Sequence, residues 1–273
     1  MTLHRIPISA LIGLILTGVA VFVAAFAPFL APYNPAETVG DVWEPASDQF
    51  WLGTDNLGRD LLSRMIYGAR ITIFIAAAAT ALSFCVGAVA GFAAAVAGGL
   101  TDQAMSRSVD LLMSIPSLIF ALVVLSVLPS TVLILILVMA VLDFTRVYRL
   151  ARAVAVDVNV MDYVEAARLR GERLKWIVFR EILPNALSTL VAELGLRFIF
   201  MVLFLSSLSF LGLGVQPPES DWGGMVKENK DGIIFGIPAA LIPAAAISVL
   251  AISVNLVADW ILRRTSDLKG GRS

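Results

Sequence analysis

Few side chains in this sequence could carry acid–base, nucleophilic or metal chemistry, and their spacing does not suit it. His4 is the single histidine and stands in a terminal tail, so neither a histidine metal site nor a histidine general base fits. Cys85 is the single cysteine, lies in an apolar run and cannot form an intrachain disulfide. No Gly-x-x-x-x-Gly-Lys-Ser/Thr segment is present. Gly212-x-Gly214 runs into Pro217-Pro218, which is the context of a turn and not of a phosphate cradle. Any energy source must therefore come from another protein. The most informative segment is Asp162 to Asn185, DYVEAARLRGERLKWIVFREILPN. Tyr163 to Leu169 reads as a short helix that Gly171 breaks. Leu174, Ile177, Val178 and Ile182 then form one apolar stripe, with Arg173, Lys175, Arg180 and Glu181 away from it. Pro184 is expected to end or redirect this helix. The element could dock a protein partner, or it could float on lipid headgroups.

The rest of the chain must hold that element at a membrane. Hydrophobic residues make up 59% of the chain and charged ones 15%, against about 25% charged in an ordinary soluble domain. Mean hydropathy is +0.88. A soluble core of this length could not hide so much apolar surface, so the excess must face lipid. A soluble enzyme, a disordered chain and a disulfide scaffold are excluded, and a net charge of −1 argues against nucleic acid.

A transmembrane helix needs roughly 20 mainly apolar residues. Six all-α spans are expected, with five as the fallback. The first, Ile6 to Ala31, is too long for a signal peptide and reads as uncleaved. Residues 32 to 68 are polar and rich in turn formers. The second span runs from Ile71 to Ala97. Val109 to Leu142 holds two short spans divided at Leu128-Pro129-Ser130-Thr131, the fourth borrowing length up to Tyr148. The fifth covers Ala186 to Leu213, a polar loop spans Gln216 to Lys230, and the sixth covers Ile237 to Ile261. This divides the chain into 1–70, an N-terminal helix with an outer segment, and 71–273, a membrane core containing loop 150–185. With the N-terminus inside, the cytoplasmic face holds all the arginines and lysines except Arg59, Arg64, Arg70, Lys227 and Lys230. The positive-inside rule favours that arrangement, with both termini cytoplasmic.

Within the spans, Gly87 and Gly91 form a small-xxx-small pair, for a subunit contact or for packing inside the chain. Pro116 should kink the third span, and such a kink either lines a pathway or serves packing. Glu193 and Arg197 lie four apart on one helix face, and Asp143 stands close to Arg146. Intramembrane charge often marks function. Both sets should lie near a cytoplasmic boundary where snorkelling makes charge cheap, which favours structural pairing. No expected span has an acid at mid-membrane to serve a proton relay.

These residues carry a resemblance. Glu165-Ala166-Ala167, Gly171 after three residues, and Leu183-Pro184 resemble the EAA loop of ABC importer permeases, with Glu181 departing from that pattern at one position. Leu52-Gly53-Thr54-Asp55-Asn56-Leu57-Gly58-Arg59-Asp60, with Ser63-Arg64 and Gly68-Ala69-Arg70, is similar to the segment before the second span of dipeptide/oligopeptide-type permeases. Ser207 to Pro218 with Trp222-Gly223, and Asn255-Leu256-x-x-Asp259-Trp260-x-x-Arg263, are similar again. The chain departs from the family at Asp143-Phe144-Thr145, where Trp-Pro-Gly is more usual. The resemblance implies a type I ABC importer permease fold and half of a membrane heterodimer with a second homologous permease subunit. It implies two ATPase subunits that bind ATP, so this chain needs no cofactor and has no catalytic or metal site. It also implies a periplasmic or lipid-anchored solute-binding protein, and an inner-membrane location. Glu165, Ala166, Ala167, Gly171 and Pro184 would couple the permease to the ATPases, with Ala166 and Ala167 both against that partner. Peptides are the expected cargo, with nickel, glutathione, opines or other peptide-like solutes as alternatives. The rival from another class is a membrane scaffold without transport.

Overall fold

The computed structural model describes residues 7–129 and 131–270. His4, Arg5, the start of the first span at Ile6, Ser130 and Arg272 lie outside the described residues. Helices dominate throughout. Among the described residues, α1 (Ile8–Ala25) is followed by the single turn α2 (Ala27–Leu30), α3 (Leu61–Ala97) and α4 (Gly99–Met113). Next come α5 (Ser117–Val127), α6 (Val132–Asn159), α7 (Asp162–Leu169) and α8 (Leu174–Trp176). A π turn, Ile177–Ile182, leads into α9 (Leu183–Phe210), and α10 (Trp222–Asn229) and 3-10 turns at Lys230–Phe235 and Pro238–Ala240 precede α11 (Leu241–Gly270).

Four of these helices are long and apolar enough to cross a membrane, or five if the broken pair α4 and α5 counts as one span. The expectation of six is not met by this measure. The first 18 residues of α6 already carry Asp143, Arg146 and Arg149, and α5 has only 11 residues. At 1.5 Å per residue α5 spans roughly half of a 30 Å hydrocarbon layer. Pro116 stands at the N-cap of α5, and the chain turns by 80° between α4 and α5, which is a break and not a kink.

The second span starts ten residues before its expected position. Asp60 caps α3, its carboxylate accepting from the Ser63 amide at 2.8 Å, and Gly98 ends the helix with φ +60°. α3 and α6 pack with their backbones in close approach. A Cβ at Gly87 would lie 2.8 Å from Val147 Cβ, and one at Gly91 would lie 2.5 Å from the Tyr148 carbonyl. The small-xxx-small pair therefore serves packing within the chain. The core of the bundle is Leu61, Ile75, Leu135, Met139, Met201, Leu205 and Leu208, all without exposed surface. Peripheral α1 rests on α11, where Gly13 admits the Ser253 carbonyl and Thr17 Oγ1 donates to Ser253 Oγ at 3.1 Å. The expected polar loop after the fifth span is instead helical over α10, tucked between α9 and α11. Asp221 caps α10, and Gly223 lets the Ser206 backbone approach closely enough that a Cβ would lie 2.5 Å away.

Candidate coupling element and the ionic clusters around it

α7 begins with Asp162 and Glu165 in its first turn and carries Arg168 in its last, so its charges complement the helix dipole. It closes on a Schellman cap. The Gly171 amide donates to the Arg168 carbonyl at 2.9 Å and the Glu172 amide donates to the Ala167 carbonyl at 3.2 Å. Gly171 has φ +81° and nothing within 4 Å of an added Cβ, so backbone conformation alone demands glycine. Val164 and Ala167 are fully buried, with Val164 packed beside Ile177, Val178 and Ile182. Three of the four stripe residues are buried as expected, while Leu174 stays exposed.

The sequence-derived site residues do not share one surface. Glu165 and Ala166 face solvent, Ala167 turns inward onto its own chain, and Gly171 and Pro184 are exposed. The expectation that both alanines meet a partner is therefore corrected. Val164 and Ala167 lie three apart on the inner face of α7, and Ala166 is rotated away from them.

Pro184 does not end the helix either. The helical rod runs without interruption from Leu174 through the π turn and into α9. A proline inside a helix removes one hydrogen bond and crowds the carbonyl four residues back, here Arg180. The widened π turn just before it relieves that crowding, and Asn185 Nδ2 donates to the Glu181 carbonyl at 2.6 Å.

Further along the same rod lies a charged cluster between α3, α6 and α9. Arg197 Nε donates to Glu193 Oε1 at 2.8 Å, as the four-residue spacing predicts. The expected Asp143–Arg146 pair is replaced. Asp143 instead accepts from Ser83 Oγ at 3.0 Å and lies 3.6 Å from Arg197 Nη1, while the Arg146 guanidinium sits 4.1 Å over the Phe200 ring. Asp143 has no exposed surface, so protein and not snorkelling to water surrounds it.

A second cluster, at the opposite end of the bundle, gives the 52–60 motif its structural reason. Asp55 Oδ2 holds Arg59 Nε at 2.7 Å and also pairs with Arg64 Nη1. Glu228 of α10 accepts from Arg59 Nη2 at 2.9 Å and from Arg64 Nη1 at 2.7 Å. Asn229 Oδ1 accepts from the Asn56 amide at 3.0 Å and from Trp43 Nε1 at 3.3 Å. Asp55, Arg59 and Arg64 are buried. The clasp neutralises charges that would be costly alone. Periodicity could not have revealed its link to α10, because the partners are more than 160 residues apart.

Comparison with known proteins agrees with this architecture. Residues 84–267 match the family described as binding-protein-dependent transport system inner membrane component. Residues 9–57 match the N-terminal TM domain of oligopeptide transport permease C. The di/tripeptide transport system permease protein DppC of Pseudomonas aeruginosa is 34% identical over 259 residues, covering 92% of this chain and 86% of that protein. The oligopeptide transport system permease protein OppC of Bacillus subtilis is 31% identical, covering 92% of this chain and 83% of its own. The glutathione transport system permease protein GsiD of Pectobacterium atrosepticum is 31% identical, covering 88% and 80%.

Proposed function

The chain belongs to the binding-protein-dependent transport system inner membrane components, and from that premise we propose that it forms one membrane half of an ATP-driven importer of di- or oligopeptides. The observation that carries the mechanism is the glycine-capped helix α7 joined to a rod that runs unbroken into α9. A push on α7 is transmitted along that rod without a flexible joint at Pro184. In this reading two separate ATPase subunits bind and hydrolyse ATP, and this chain holds no cofactor. One ATPase docks on the exposed side of α7, at Glu165 and Ala166, while Gly171 fixes the angle of the element and Ala167 fastens it to the bundle. A second, homologous permease completes the pathway. A solute-binding protein delivers cargo on the face opposite α7. Both termini are cytoplasmic, as the arginine and lysine distribution favours. The glutathione-permease relative bears on the alternative, in which the same machine carries another peptide-like solute in place of peptides.

The test is Glu165→Lys in the reconstituted transporter. Reversing an exposed charge on the docking surface should abolish substrate-stimulated ATP hydrolysis while the complex still inserts. Unchanged hydrolysis and transport would remove α7 from the coupling path.

A further inference from the structure

A cavity of about 530 Å³ lies between α1, α3 and α11, lined by apolar side chains that include Val19, Met65, Trp222, Ala246 and Val249. Leu30, Trp51 and Leu62 line it and also line a neighbouring cavity of about 300 Å³, so the two adjoin. The smaller one is less apolar than the larger, with Tyr33, Asp48, Gln49 and Asp60 on its walls and no lysine or arginine. Asp60 is committed to capping α3 through Ser63, whereas Asp48 is exposed and makes no hydrogen bond or ion pair among the described residues.

The structure assigns these adjoining cavities to one phospholipid with an amine-bearing head group, taken from the leaflet on the side of residues 32–60. Three observations fit that occupant. An apolar cavity of ~150 Å³ in a protein holds a benzene molecule, so by that scale the larger chamber takes roughly twenty carbons, the size of one acyl chain. Most of its walls come from α1, α3 and α11, each of which belongs to a candidate membrane span, so lipid is the fluid at its mouth. A partner helix is about 10 Å across, so this volume admits little more than one turn of it. The polar side chains of the smaller chamber decide the head group. An ammonium donates to the Asp48 carboxylate, the Gln49 carbonyl and the Tyr33 hydroxyl, whereas an anionic head would meet Asp48 and Asp60 with no cation to offset them. A choline has the charge but no N–H to donate. Trp51, at the junction and largely exposed, suits the boundary between chain and head group.

The experiment uses the intact transporter complex in nanodiscs containing equal parts phosphatidylethanolamine, phosphatidylcholine and phosphatidylglycerol. Native mass spectrometry of the released complex counts the retained lipid. The wild type should retain one lipid attributable to this chain, with phosphatidylethanolamine favoured about fivefold or more over either competitor. Ala246→Phe, which fills the acyl chamber, should lose that lipid with subunits still associated, and Ile15→Phe, on the exposed side of α1, should not. Asp48→Asn, at an exposed position that leaves folding intact, should keep the lipid and level the head-group preference. Equal retention of all three lipids by the wild type would overturn the proposal. So would unchanged retention in Ala246→Phe, and so would dissociation of the complex by that variant, since a partner subunit would then be the occupant.

Discussion

Gly171 offers a clean measure of how much the cap on α7 matters. Its φ of +81° lies in the left-handed region, and an added Cβ would meet nothing within 4 Å. Substitution therefore changes backbone energy and little else. An L-residue held in that conformation costs roughly 1–2 kcal/mol, with asparagine less because its side chain tolerates it. A non-glycine residue also narrows the unfolded ensemble, which returns about 0.4–1 kcal/mol. The net cost for alanine is then about 1 kcal/mol, a factor of roughly five in the population with the Schellman cap closed. A β-branched valine should cost more. The order of damage should be Val > Ala > Asn. Hydrogen exchange at the amides of Gly171 and Glu172, which donate in the cap, reads the closed population directly. Substrate-stimulated ATP hydrolysis of the reconstituted transporter reads its consequence. Valine matching the wild type in both assays, or asparagine as damaging as valine, would refute the backbone argument.

Two further outcomes follow from other residues. Burial pushes Asp221 up from its ordinary 3.8 to about 6, so the native state favours the protonated acid. Stability should fall as pH rises between about 4 and 6, by up to roughly 3 kcal/mol, and stay flat above. Asp221→Asn keeps one of the two oxygens that accept separately from the Gly223 and Gly224 amides, and should remove this dependence in thermal unfolding; a sloping profile in that variant would point to another group. Gly91→Ala would drive a methyl to 2.5 Å from the Tyr148 carbonyl and should lower the unfolding temperature sharply, by an overpacking cost of about 1–3 kcal/mol, while Gly18→Ala, in open space, should leave it unchanged.

The properties legible in the sequence were those set by neighbours along the chain. Hydropathy marked the long spans, and α7 appears within one residue of its expected start because Gly171 ends it for a local reason. What escaped depended on groups brought together from afar. α3 starts at Leu61 and not Ile71 because the clasp buries Arg64 and lets a charged turn join an apolar helix. α10 contains Gly223-Gly224, poor helix formers, and exists because Gly223 fits against α9 and Asp221 caps both glycine amides. Asp143 was expected with Arg146 three positions away in reach, yet a neighbouring helix supplies Arg197 as its partner. Pro184 reads as a breaker by type, and only the π turn before it explains why the rod continues.

The clasp between Asp55, Arg59, Arg64 and α10 also sets an order of events during synthesis. Asp55, Arg59 and Arg64 emerge together with one positive charge in excess, and the balancing Glu228 follows 169 residues after Arg59. At ~5–20 residues per second the ribosome needs roughly 8–35 s to deliver it. Through that interval the two arginines have only Asp55 as their partner in the clasp, and Glu228 adds the second carboxylate when it closes. Chains cut before α10 therefore lack the carboxylate that both arginines share, and the clasp closes only once α10 has been made.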